Sequence, residues 1–174
     1  MALKLILYPD PILKRRAAPV ATIDDEVRGR VREMFEILYR EKGVGLAAPQ
    51  VGWSVRLFIA NPTGEPNAEG ERVYINPRIL AAEGEIREEE GCLSIPEVRG
   101  IVGRSRKVVV SAQDLGGVAF KEEAEDLKSR VIQHELDHLD GILFISRLSS
   151  LDRLRVNKEL KQLERRYSAK PASV

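Results

Sequence analysis

Apolar residues return every three or four positions from Val27 through Val31, Met34 and Phe35 to Leu38, and the run closes at Lys42-Gly43. This spacing predicts an amphipathic helix with its stripe in the core and glycine at its end. Thr22, three residues before Asp25, reads as a capping-box variant at its start. The period then changes. Apolar segments at Arg56–Ala60, Arg72–Ile75, Gly100–Val102, Lys107–Ala112 and Val118–Glu122 predict strands. Turns are expected at Asn61-Pro62-Thr63-Gly64, Asn76-Pro77 and Gly116-Gly117. The polar segment Asn61–Glu71 is expected to be a mobile surface loop. Helical spacing returns from Ala124 to about Leu139, with Leu127, Val131 and His134 on one face and His138 a turn later. Asp140-Gly141 ends it. The tail repeats the helical period at Leu151, Leu154, Val156, Leu160 and Leu163. Ser168–Val174 is expected to fray.

No repeat or low-complexity linker divides the chain. Its 174 residues suggest one domain spanning 1–174, with 149–174 as a C-terminal helix and tail. Hydrophobic content of 43% and charged content of 32% are those of a soluble globular protein. A net charge of +1 gives no whole-molecule footprint for nucleic acid, so no sequence-specific nucleic-acid partner is expected. No apolar run approaches the roughly 20 residues of a membrane span. The segment Met1–Pro9 is too short, and too soon broken by proline, for a signal peptide. A single cysteine, Cys92, excludes an intramolecular disulfide and points to a reducing, cytoplasmic setting. The tail is locally basic, through Arg153, Arg155, Lys158, Lys161, Arg165 and Arg166. A solvated helix face explains those charges better than a docking surface.

The chain's two histidines stand four apart in His134-Glu135-Leu136-Asp137-His138. Residues i and i+4 share a helix face, so both imidazoles can reach one cation. Glu135 is then placed to take a proton from activated water. A catalytic metal site usually has three protein ligands and an open position. His134–Gly141 begins a metzincin signature, but Phe144 stands where that signature needs a third histidine. Glu159 or Glu164 could serve as in thermolysin-like peptidases. Cys92 could serve as a thiolate whose pKa the cation lowers. Spacing alone does not decide between Cys92 and the glutamates.

Three segments add a resemblance. They are Gly43-Val44-Gly45-Leu46-Ala47-Ala48-Pro49-Gln50, Glu90-Gly91-Cys92-Leu93-Ser94 and Gln133-His134-Glu135-Leu136-Asp137-His138. In this order they resemble the GxGxAAxQ, EGCLS and QHExDH motifs of the peptide deformylases, and the tail is similar to that of bacterial-type members. The likeness covers essentially the whole chain. It implies hydrolysis of the N-formyl group from N-formylmethionine of newly made polypeptides. It implies one divalent metal, Fe²⁺ in the cell, with Zn²⁺, Ni²⁺ or Co²⁺ able to replace it in a purified sample. It makes Cys92, His134 and His138 the ligands and Glu135 the general acid/base. It gives the Gln50 side-chain amide and the Leu93 backbone N–H the task of stabilising the oxyanion.

The residue types suit that chemistry. Gly43 and Gly45 keep side chains away from a strip of backbone, which suits an extended peptide substrate. Val44 and Leu93 flank the strip. Val131, one turn before His134, is placed to line a methionine pocket. Arg99 is placed to steer the peptide backbone or its carboxylate. Pattern and resemblance together predict an α+β fold, with small mixed or antiparallel β-sheets packed around a central HExxH helix, an N-terminal helix and a C-terminal helix. The expected partners are N-formylmethionyl peptides and nascent chains, with ribosome contact through the C-terminal helix and no membrane. The competing functions are an HExxH zinc endopeptidase with a glutamate third ligand, and a module whose metal is structural.

Overall fold

A computed structural model describes residues 3–66 and 69–168. Helix α1 (Asp25–Arg40) buries Val27, Val31, Met34 and Leu38 of the predicted stripe together with Ile37, and packs a partly buried Phe35 against the same core. Its cap is Asp24 rather than Thr22: the Asp24 carboxylate accepts from the Val27 N–H at 2.9 Å. Asp25 and Glu26 in the first turn and Arg40 in the last complement the helix dipole. Asp24→Ala is therefore expected to cost about 1 kcal/mol in urea denaturation. Thr22→Ala should stay within about 0.5 kcal/mol of wild type, like other surface changes.

The strands are β1 (Gly45–Ala47), β2 (Leu57–Ala60), β3 (Arg72–Glu83), β4 (Ile86–Cys92), β5 (Ile95–Arg104), β6 (Lys107–Gln113) and β7 (Ala119–Glu125). They form a five-stranded antiparallel sheet in the order β1-β2-β3-β6-β7 and a separate antiparallel pair, β4-β5. Helix α2 (Asp126–Leu139) carries the HExxH residues. Helices α3 (Ser150–Arg155) and α4 (Asn157–Ser168) follow.

The sheet is packed on both faces, and β2 shows it residue by residue. Leu57 and Ile59 join the core with α1, whereas Phe58 and Ala60 join the core with Val131, Ile132 and Leu139 of α2. A strand buried on both sides needs an unbroken apolar run, which Leu-Phe-Ile-Ala supplies. A third core joins the β4-β5 hairpin to the segment after α2 and to Leu160 and Leu163 of α4. The predicted α+β class, with antiparallel sheets around the HExxH helix, is the one observed.

Several local expectations change. Asn76-Pro77 is not a turn but lies inside β3, where the register shifts between Ile75 and Arg78 and Asn76 has φ 51°. Proline lacks the N–H a ladder needs, and a bulge accommodates it. Ala124 and Glu125 belong to β7, so α2 starts later than its period suggests. The tail is two helices, broken at Val156. Leu127 does not join the core and is 47% exposed. The loop from Asn61 is anchored at its start. Asn61 is fully buried and donates to Tyr39 Oη and the Glu65 carbonyl. Residues 67–68 of that loop lie outside the described residues, as do 169–174 of the segment expected to fray. Gly141 ends α2 with φ 73°, and a Cβ there would stand 2.6 Å from the Lys14 carbonyl oxygen. Glycine satisfies both demands.

Candidate active site

The two imidazoles project from one face of α2 with ring centroids 5.0 Å apart, edge to face. Cys92 arrives from the end of β4, where pairing with β5 slips between Gly91 and Cys92. That irregularity turns the thiol toward α2, and Cys92 Sγ lies 3.3 Å from His138 Nε2. One donor atom each from Cys92, His134 and His138 lie within 4.8 Å of one another. Among the described residues no other trio of histidine, cysteine or acid is so gathered. One thiolate and two imidazoles suit a divalent transition metal and leave a fourth position for water or substrate. Glu164 is engaged elsewhere, accepting from Tyr8 Oη at 2.6 Å. Neither it nor Glu159 belongs to the cluster.

Burial and charge set the state of the acids. Glu90 is 6% exposed, and His134 Nδ1 lies 3.0 Å from its Oε2. That contact fixes the ring and leaves Nε2 for a cation. Arg104 Nε and Nη2 donate to the two Glu90 oxygens at 2.9 and 3.0 Å. Burial pushes the Glu90 carboxyl upward, but the Arg104 and His134 hydrogen bonds and charges override it and hold the pKa at about 2. Arg104 Nη1 donates to Asp137 Oδ2 at 2.6 Å. Glu135 has the opposite environment. It is buried, and its Oε2 has no hydrogen-bond partner among the described residues. Burial raises its pKa to about 7, opposed by His134 and Arg104 and reinforced by Glu90 and Asp137. A carboxyl with its pKa near neutrality is suited to both accepting and returning a proton.

Gln50 sits on the single turn of 3₁₀-helix Ala48–Val51 and is 1% exposed. Its Oε1 accepts from the Ala47 N–H at 2.8 Å, so the amide group points to the site. Nε2 lies 3.4 Å from Cys92 Sγ and donates to Ser94 Oγ at 3.2 Å.

A cavity of about 650 Å³ brings the predicted residues together. Gly43, Val44, Gly45, Gln50, Cys92, Leu93, Arg99, Val131, His134 and Glu135 all line it. His138 lies deeper, at 1% exposure. A Cβ on Gly45 would stand 2.5 Å from Glu135 Oε1 and 2.9 Å from Val131 Cγ1. A Cβ on Gly43 would meet Leu38 and Leu93 side-chain carbons at 2.8 Å. A side chain at either position would therefore have to displace those neighbouring side chains. Strand β1 is the edge of its sheet, paired only with β2. Arg99 spans the rim, exposed and donating to Glu89 Oε2 at 2.7 Å. Leu127 and Arg130 also line the cavity and were not anticipated. Leu127 stands four residues before Val131, so helix spacing carried a signal for it. Arg104 has no local signal, because its partners lie on β4 and α2.

A small α+β scaffold that places an HExxH glutamate beside two histidines and a cysteine defines a hydrolase of the metal-dependent HExxH class. The comparisons with known proteins narrow it. A polypeptide deformylase family model matches residues 2–154. A peptide deformylase of Acidobacterium capsulatum is 47% identical over 161 residues, covering 92% of this chain and 95% of that one. A chloroplastic peptide deformylase 1B of Oryza sativa is 44% identical over 167 residues, covering 95% of this chain and 62% of that one. A solved peptide deformylase from Plasmodium falciparum superposes with a TM-score of 0.94 at 40% identity, covering 98% of this chain and all of that one. The chain belongs to the polypeptide deformylase family.

Proposed function

We infer that the chain hydrolyses the N-formyl group of formylmethionine at the start of newly made polypeptides and releases formate. The observation that carries this reading is the buried Glu135 beside the Cys92-His134-His138 donor set, at the wall of a cavity edged by a bare strip of backbone. Cys92, His134 and His138 would hold the metal. A divalent cation held there supplies Lewis acidity, making water nucleophilic at neutral pH and polarising the formyl carbonyl.

The remaining work falls to the chain's own groups. Gly43, Val44 and Gly45 offer an extended peptide a sheet edge to lie along, with Gly45 admitting it close to Glu135. Val131, with Leu127, gives methionine's thioether an apolar wall, and Leu93 closes the strip. Arg99 steers the peptide from the rim. Glu135 Oε2 takes the proton as water attacks the formyl carbon. The C–N bond then breaks, and Glu135 returns that proton to the departing amine, leaving formate and a free amino terminus. Gln50 Nε2 and the Leu93 N–H stabilise the oxyanion formed in between. Gln50→Ala is expected to lower kcat about 10²–10³-fold with a smaller change in KM. An unchanged kcat in a steady-state formate assay would remove Gln50 from this role.

Iron is the metal we propose in the cell, with zinc, nickel or cobalt accepted in a purified sample. Metal analysis of anaerobically purified protein should find about one iron per chain. Another metal at that ratio would reject iron. Site of action is the cytoplasm in this reading, and no helix among the described residues is long and apolar enough to cross a membrane. Contact with the ribosome through α4 is supported by the exposed Lys158, Lys161 and Arg165. Deleting the tail would expose the third core, so charge reversal of these three is the sound test. Undiminished co-sedimentation of the reversed variant with ribosomes would reject the contact.

A further inference from the structure

Arg147 lies on the segment after α2, outside the three motifs. Its Nε donates to Asp137 Oδ2 at 2.5 Å and its Nη2 to Oδ1 at 2.6 Å. The Arg147 side chain is 40% exposed, whereas those of Asp137, Arg104 and Glu90 are 11%, 3% and 6% exposed. Asp137 Oδ2 also receives Arg104 Nη1, and Arg104 grips both oxygens of Glu90. Glu90 in turn meets His134 Nδ1. Side chains from β4, β5, α2 and the segment beyond it thus form an unbroken charged chain from solvent to His134. The outer end borders a second cavity, of about 840 Å³, which shares no lining residue with the first. Arg147 can therefore be altered without touching the groups proposed to meet substrate.

We propose that Arg147 is a positioning residue for the metal site, holding Asp137 so that Arg104 keeps its two-pronged grip on Glu90 and Glu90 keeps the His134 ring aimed at the cation. This rests on reading His134 as a ligand. The physical reason is competition for one guanidinium. Asp137 is satisfied by three charge-assisted bonds, of which Arg147 supplies two. Without them, a nearly buried carboxylate has Arg104 alone and draws it away from Glu90. Support of a ligand by an outer partner typically affects metal affinity by about 10–100-fold.

The test is zinc affinity, measured by competition with a chromophoric chelator, for wild type, Arg147→Gln, Arg147→Lys and Arg106→Gln. Arg106 makes an exposed pair with Asp126 at 2.9 Å and controls for loss of one surface charge. Arg147→Gln should weaken zinc about tenfold and shift the visible bands of the cobalt-substituted protein. Arg147→Lys should recover part of the loss, since it restores the charge but not the fork. Arg106→Gln should match wild type. Zinc affinity of Arg147→Gln within about twofold of wild type would overturn the inference, as would an equal loss in Arg106→Gln. Failure of wild type to take up one zinc per chain would overturn the ligand reading beneath it as well.

Discussion

Glu135→Gln is expected to lower kcat/KM for a formylated peptide about a thousandfold while metal content stays at the wild-type level. The two side chains have nearly the same shape, and Glu135 is buried with one oxygen unpartnered, so the exchange removes the proposed proton carrier without reshaping the wall. The loss should appear in kcat more than in KM, because the carboxylate acts as bonds change rather than as peptide binds. The ionisation explains why glutamate works there. With its pKa near 7, set mainly by burial, Glu135 is populated in both ionised and protonated forms at neutral pH, so it can accept a proton and give it back. Steady-state formate release by wild type and variant, at matched metal loading, checks this. A loss below about tenfold would mean another group carries the proton.

Arg104→Met is expected to destabilise the metal-free protein by about 3–5 kcal/mol at pH 7. Arg104 is almost wholly buried and stands between two carboxylates, Glu90 and Asp137. Removing it leaves the buried Glu90 without its guanidinium partner, while Asp137 keeps only the two bonds from Arg147. The pH dependence has a definite sign. Glu90 is held near 2 against an ordinary value of 4.5, so its ionised form favours the fold. That contribution is complete above about pH 4.5 and disappears as pH falls toward 2. The gap between wild type and Arg104→Met should therefore be widest near neutrality and should narrow across that window. Urea denaturation at a series of pH values measures it. A gap independent of pH would assign the loss to packing instead of charge.

The long apolar periods of α1 and α2 made both helices legible, and HExxH made two of the proposed ligands legible because a single helix presents them. The third proposed ligand was not, because Cys92 arrives from a hairpin 46 residues before His138, and spacing is silent about which distant strand returns. Glu159 and Glu164 looked equal to it until α4 placed Glu164 against Tyr8. Strand β4 was hidden for a related reason. Its run Ile-Arg-Glu-Glu-Glu carries exposed acids at Glu88 and Glu89 and only one buried acid, Glu90, whose presence there depends on Arg104. Short β1 has too few residues to show a period. Resemblance marked its Gly45, and the geometry gives the reason, since Glu135 and Val131 occupy the space a side chain would take.

The most direct test is formate release from formyl-Met-Ala-Ser by metal-loaded wild type under anaerobic conditions, with the free amino terminus assayed in the same samples. One formate should appear for each amine exposed, with no internal cleavage. Absence of formate from folded, metal-loaded protein, or cleavage between the peptide's residues, would contradict the deformylase reading.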